Sequence, residues 1–443
     1  MLDFRRNPAT IGSAMRYQPL PAELFVSNRE HLYAKLPPQS VVILHANDVL
    51  PTNADGSLSF IQNSDLFYLC GVDQEETILV LFPDAVDPKQ REMLFVRETN
   101  EHIAVWEGEK LTKEQAKERS GIQRVHWLED FEVQFRAVMC QADHVFLNSN
   151  EHPRATIPTE TREMRFTQRC QREYPLHDYR RLAQLMHELR VIKSPHEITA
   201  LNEAIRITGN GFHRLLKFVK PGVHEFEIEA ELAHEFIRQR GRGFAYTPII
   251  ATGANACVLH YITNHCQCQD GEMLLLDVAA NYGNYNADLT RTIPVNGKFT
   301  PRQRQVYDAV LRVFKKCCQM LRPGVIIREY QEQVGLLMQE ELVGLGLITQ
   351  EDIDKQDPEK PAYKKYFPHG TSHPLGIDVH DVGHMWKPVQ PGMVFTVEPG
   401  IYIREEKLGV RLENNIFIGE HENIDLMAHI PIEADEIEAA MAK

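Results

Sequence analysis

The pattern of apolar and polar positions changes character along the chain. Between Ser40 and Arg97, short apolar runs cut by Gly, Pro and Asp predict strands at "SVVILHAND", "FYLCGV", "TILVLFPD" and "EMLFVRE". "KEQAKERSG" and "LEDFEVQFRAVM" then predict helices, and "HVFLNSN" a further strand. The polar stretch "NEHPRATIPTETREMRFTQRCQREYP" has little periodicity and reads as a connection. These elements predict an N-terminal mixed-sheet α/β domain over residues 1–175 and a second domain over 176–443.

The second domain opens on a strong helix signal. In "KSPHEITALNEAIRITGNGFHRLLKFVKPG", Ser194 is the expected N-cap, Pro195 the first helical residue and Glu197 the partner in a capping box. Ile198, Leu201, Ile205, Phe212, Leu215 and Val219 recur at helical spacing until Pro221-Gly222. The device returns in "GKFTPRQRQVYDAVLRVFKKCCQMLRPG", with Thr300, Pro301 and Gln303 in the same positions. A second amphipathic helix follows each, then a His-containing segment and strands that carry carboxylates. Two structurally related halves, or a chance recurrence of helix–Pro-Gly–helix, both account for this.

The strands of this domain contain unexpected charges. "LLLDVAANYGNYNADLTRT" places Asp277 and Asp288 in runs otherwise suited to a core. With Gly283-Asn284 as a two-residue hairpin loop, Tyr282 pairs with Tyr285 and Ala279 lies opposite Asp288. The two aspartates then share a face as diagonal neighbours roughly 7–8 Å apart. Turn or capping aspartates remain the plainer account of either residue alone. "GMVFTVEPGIYI" and "GVRLENNIFI" repeat the anomaly with Glu398 and Glu413, and Arg411 shares a face with Glu413. Between the two sets, "FPHGTSHPLGIDVHDVGH" supplies His369, His373, His380 and His384, and "ACVLHY" adds His260.

Four unpaired carboxylates in a core would each cost several kcal/mol. Two divalent cations would balance them. Oxygen-rich ligation with one imidazole suits Mn²⁺, with Co²⁺ or Zn²⁺ by substitution. Two such ions can activate a shared water near neutral pH, so the residues predict a two-metal hydrolase. "HCQC" (His265 to Cys268) is a poorer metal candidate, because its spacing is too tight and a further ligand is missing.

Composition narrows the setting. A net charge of -14 argues against binding nucleic acid through phosphate contacts. The eight cysteines show no repeated CxxC spacing and suggest a reducing compartment. The first residues lack the apolar core of a secretory signal, and no run suits a membrane span. A cytoplasmic protein that binds neither nucleic acid nor membrane is expected.

Together these segments resemble the metal-binding segments of the pita-bread metallopeptidases, and "IPVNGKFTPRQRQVYDAVL" and "IQNSDLFYLCGV" resemble their aminopeptidase P branch. The resemblance implies a pita-bread catalytic domain in an α/β (α+β) chain that releases an N-terminal residue preceding proline. It implies that Asp277, Asp288, His373, Glu398 and Glu413 hold two Mn²⁺ ions, with Asp288 and Glu413 bridging, and that a metal-bridging hydroxide attacks the scissile carbonyl. Glu398 would handle the proton. His380 would stabilise the tetrahedral intermediate, and His260 would position substrate and leaving nitrogen. His369 would line the proline pocket, and Arg411 would orient a ligating carboxylate. Asp55 and Trp106 fall where relatives contact the substrate end, sometimes across a subunit interface, and a homodimer or homotetramer is implied. A dipeptide-restricted prolidase and a non-catalytic binding module of the same fold are the alternatives. Asn414-Asn415 depart from the branch, where an acidic residue is common, as do Ile61 and the short connection from Glu398 to Glu413.

Overall fold

The structure is a computed structural model that describes residues 17–152, 154 and 157–442. Packing divides the chain into two units, Met1–Arg190 and Val191–Lys443.

The N-terminal unit is built on a six-stranded mixed sheet, in the order Val125–Trp127, Glu92–Val96, Ile78–Leu81, Ser40–His45, His144–Leu147, Asp178–Arg181. Ser40–His45 runs antiparallel to Ile78–Leu81 and parallel to His144–Leu147. Both of its faces are buried, which is why it reads as an unbroken apolar run. Two sequence expectations fail here. "FYLCGV" is not a strand: Ser64–Cys70 is a helix. The Asn63 side chain caps it by accepting from the Asp65 and Leu66 amides, and Gly71 ends it at φ 65°. Every residue of this helix after Ser64 is buried, so no polar face marks its period. The supposed connection contains the helix Arg162–Glu173, capped by Thr161. Its buried stripe is only Glu163, Phe166 and Cys170. Glu163 is buried because it accepts from the His45 amide at 2.7 Å, pinning the helix to the central strand.

In the second unit, the helices Pro195–Phe218 and Pro301–Met320 begin as expected, each with a complete capping box and proline in the first turn. Glu225–Arg238 and Ile327–Gly344 follow and pack against them. The strands form four small antiparallel sheets rather than one large one. Ile249–Thr252, Met273–Asp277 and Thr290–Pro294 make one sheet, and Val394–Val397, Asn414–Phe417 and Ile424–Asp425 another. Gly243–Phe244, Ala280–Tyr282 and Tyr285–Asn286 make a third, and Gly400–Ile403 with Leu408–Arg411 the fourth. Asp277 ends its strand, and Asp288, Glu398 and Glu413 fall in the gaps where the chain leaves one sheet for the next. An isolated bridge between Thr290 and Glu413 stitches the two halves across such gaps.

The hairpin turn lies where the pattern put it. Gly283 and Asn284 adopt φ 57° and 66°, and Tyr282 pairs with Tyr285. Two positive φ values fit the type I′ loop that matches strand twist. The same register continues to the pair Asp277–Thr290.

One buried cation braces this region. Arg291 is fully buried and donates to the carbonyls of Thr290, Glu413 and Pro431 and to Asn414 Oδ1, at 2.7–2.9 Å. Burial pulls its guanidinium down to about 10. Arg291→Met should strand several buried carbonyls and cost about 3–5 kcal/mol. Denaturant titration followed by tryptophan fluorescence and circular dichroism would detect this as an early transition of the second unit.

Candidate active site

The carboxylates converge because two strand systems are tied together. Asp277 and Asp288 share the Tyr246 hydroxyl, 2.6 Å from an Oδ1 of each. Asp288 is held at its backbone by Asn415, whose side chain accepts from the Asp288 amide at 3.1 Å and donates to the Asp288 carbonyl at 2.6 Å. An amide supplies both roles, whereas a carboxylate could not donate, and this is what asparagine does at a position where acid was expected. Glu413 hydrogen-bonds Thr290 twice, through its amide to the Thr290 carbonyl and through Oε2 from the Thr290 hydroxyl at 2.6 Å.

His373 joins this group from the loop between the short turn Ala362–Lys365 and the strand Val394–Val397. Its Nδ1 lies 2.9 Å from the Pro374 carbonyl, which can only accept, so Nδ1 carries a proton. Nε2 then faces Asp288 Oδ2 at 3.4 Å and Glu398 Oε1 at 3.8 Å. An imidazole fixed by a backbone carbonyl and aimed at carboxylates is the arrangement of a metal-ligating histidine. Among the described residues, ligand atoms of Asp288, His373 and Glu413 lie within 4.8 Å of one another.

The electrostatics point the same way. Burial pushes the carboxyl of Glu398 up to about 7, and the negative charges of Asp288 and Asp277 add to this against the pull of His373 and Arg411. Burial raises Asp277, with Asp288 adding to it, and carries Glu413 well above its ordinary range. Burial alone would lower His373, but its bond to Asp288 and the charge of Glu398 outweigh that and raise it. The Arg411 guanidinium bonds a side chain of the cluster, donating to Asp277 Oδ2 at 2.6 Å. One such charge does not neutralise four carboxylates, and an oxygen-rich donor set with one imidazole fits divalent cations.

Arg411 also fixes a neighbouring histidine. It donates to the Tyr402 hydroxyl at 2.9 Å, and that hydroxyl lies 2.7 Å from His369 Nε2. His369 Nδ1 lies 2.7 Å from the Gly370 carbonyl and must donate there. Nε2 is then the acceptor and the Tyr402 hydroxyl donates its hydrogen bond there, keeping its own proton, so the imidazole is neutral. Burial, reinforced by the Arg411 charge, holds it down to about 3. His369 Nδ1 is 3.9 Å from Glu398 Oε2.

The remaining candidates are distributed as follows. His380 is exposed, with its ring centroid 4.0 Å from that of His373. His260 is exposed just after the short turn Gly253–Cys257, and its charge contributes to the depression of His369. Asp55 is exposed in the loop closed by the Pro51–Ser57 bridge. Trp106 is 75% exposed at the end of the helix Glu101–Trp106. Both belong to the N-terminal unit. The "HCQC" segment serves the fold: the Cys266 amide donates to buried Glu225, and burial pushes the Cys268 thiol up to about 12. Tyr246, Thr290 and Tyr402 were not singled out in the sequence, and Asn415 was noted only as a departure from the branch. Only Thr290 and Asn415, two residues after Asp288 and Glu413, carried a positional hint.

Comparison with known proteins agrees with this geometry. The profile of metallopeptidase family M24 matches residues 199–420, and that of the aminopeptidase P N-terminal domain matches residues 25–146. The Xaa-Pro aminopeptidase of Escherichia coli (strain K12) is 34% identical over 94% of this chain and 97% of its own length. Xaa-Pro aminopeptidase 3 of Homo sapiens is 32% identical over 90% of this chain and 80% of its own. A solved structure of zinc-substituted E. coli aminopeptidase P in complex with product superimposes with a TM-score of 0.84 at 32% identity, covering 96% of this chain and 99% of that one. With identity and coverage of this order along both units, the chain belongs to metallopeptidase family M24 and is a metal-dependent aminopeptidase.

Proposed function

We propose that this aminopeptidase uses two divalent cations, Mn²⁺ by preference, to release the residue that precedes proline at a peptide N-terminus. The observation that carries the reading is the convergence of Asp277, Asp288, His373, Glu398 and Glu413 in a chain whose relatives are named Xaa-Pro aminopeptidases. Asp277, Asp288, His373, Glu398 and Glu413 would hold the ions. When bound, the cations polarise the scissile carbonyl and acidify the attacking water.

The chain's own groups do the rest. A Glu398 oxygen takes the proton of the attacking water and passes it to the leaving imino nitrogen. His380 donates a hydrogen bond to the carbonyl oxygen as it gains charge. His260 orients the substrate and its leaving nitrogen. Neutral His369 offers an uncharged wall to the proline ring, which lacks an N–H and would leave a polar wall unsatisfied. Arg411 opposes the burial that raises the Asp277 carboxyl and holds that side chain in place. No described helix is long and apolar enough to cross a membrane. A cytoplasmic homodimer or homotetramer is the setting we propose.

Three tests follow. In a Mn²⁺-supplemented assay, tripeptides and longer peptides with proline second should be cleaved as well as Xaa-Pro dipeptides; hydrolysis of dipeptides alone would make the protein a prolidase. Asp288→Ala should lose bound metal, measured by atomic absorption, together with activity. His380→Ala should retain metal while kcat falls by about 10²–10³-fold. Stability after chelation supplies a further test. The raised Glu398 carboxyl favours the protonated folded state, so its stabilisation is complete below about pH 4.3 and is lost as pH rises through about 7. The metal-free protein should therefore melt lower at pH 8 than at pH 5.5, by the equivalent of about 1–3 kcal/mol, and added Mn²⁺ should remove the difference. An unchanged melting temperature across that range would show that the cluster is not desolvated.

A further inference from the structure

Away from the carboxylates, the second unit contains an ion pair that the proposed chemistry does not use. Lys193 Nζ lies 2.7 Å from Asp381 Oδ2, and both side chains are 1% exposed. Removing two charges from water is costly, and two apolar side chains of similar shape would often be as stable or more so. Its placement suggests what the pair does. Asp381 follows His380 directly, and Lys193 stands just before the N-cap of the helix Pro195–Phe218.

The loop between His373 and Asp381 is fixed at several points. The Leu375 amide donates to Val394, the Asp381 amide to Pro374, and Asn286 of the aspartate hairpin bonds the carbonyls of Gly376 and Ile377. Asp381 anchors its far end from inside. At Gly376 the loop lies directly on the ion pair: a Cβ there would come within 2.2 Å of Asp381 Oδ2 and 3.0 Å of Lys193 Cε. Lys193 is itself held by its amide, which donates to the Gly392 carbonyl at 2.8 Å. The His380 side chain is exposed, its ring meets that of His373, and its backbone position is set by this loop.

We propose that Lys193 and Asp381 are positioning residues, whose buried ion pair sets the loop backbone so that His380 points at the reacting carbonyl. This rests on the proposed role of His380. The pair touches neither substrate nor metal; it acts through the residue beside it. Near-attack geometry is sensitive at this scale, since a misplacement of 1 Å can cost on the order of 10²-fold in rate.

The test is a kinetic cycle between Lys193→Met and His380→Ala, with metal content measured for every variant. Lys193→Met should lower kcat by about 10-fold or more with KM changed less than threefold and metal bound as in the parent. Lys193→Arg should recover part of that loss. The double variant should be no slower than His380→Ala alone, because a misaimed histidine and an absent one lose the same interaction. Multiplicative losses in the double variant would overturn the proposal and leave the pair a stabilising element only. If Lys193→Met does not fold, Lys193→Met/Asp381→Leu replaces both charges with apolar groups and enters the same cycle; full kcat in that variant would also overturn the proposal. Full kcat in His380→Ala would instead refute the role given to His380, whatever Lys193 does.

Discussion

The catalytic unit is organised around buried negative charge. Asp288 and Glu413 are buried, Asp277 and Glu398 lie half-buried beside them, and crowding four carboxylates in such surroundings is costly without compensation. Partial answers come from the chain: Arg411 on Asp277, the Tyr246 hydroxyl between two aspartates, Thr290 on Glu413. These hold the carboxylates close and leave charge over. A site built this way is stable in proportion to the cations it recruits, and the raised carboxyl of Glu398 is the same property viewed as proton affinity.

Geometry follows from where these residues sit in the sheets. A side chain in mid-strand shares its surroundings with cross-strand neighbours. One at the point where a chain passes from one sheet to another can face inward without displacing a packed neighbour. The architecture supplies several such points and brings them together through the Thr290–Glu413 bridge. Arg291 and Asn415 then lock the backbone on both sides. They meet no substrate, yet they fix the distance between the two pairs of carboxylates.

Much of this was legible in the sequence because it is local. Ser194-Pro195 and Thr300-Pro301 announce helix starts through rules that involve four residues, and Gly283-Asn284 announces a turn through two. The charged anomalies in apolar runs were visible for the same reason. What stayed hidden depends on distant partners. The helix Ser64–Cys70 has no polar face because it is buried on all sides, and Arg162–Glu173 has almost no apolar face because Glu163 is buried against a backbone amide. Tyr246 and Arg291 look like an ordinary tyrosine and an ordinary strand arginine until the fold brings carboxylates and carbonyls to them. The direct contact of Arg411 with Asp277 was equally beyond a rule that compares neighbours two residues apart.

The stitching of the site across its two halves also bears on how activity is acquired as the chain folds. The bonds that complete it, Thr290 to Glu413, Arg411 to Asp277 and Asn415 to Asp288, join residues more than a hundred positions apart. The helices and hairpins on either side can form early from local contacts, while these closures wait for a long loop of chain to be gathered in. A partly folded molecule therefore holds Asp277 and Asp288 apart from His373, Glu398 and Glu413. On the function proposed above, activity would appear only with the last long-range closure, and folding intermediates would be inert towards the peptides around them.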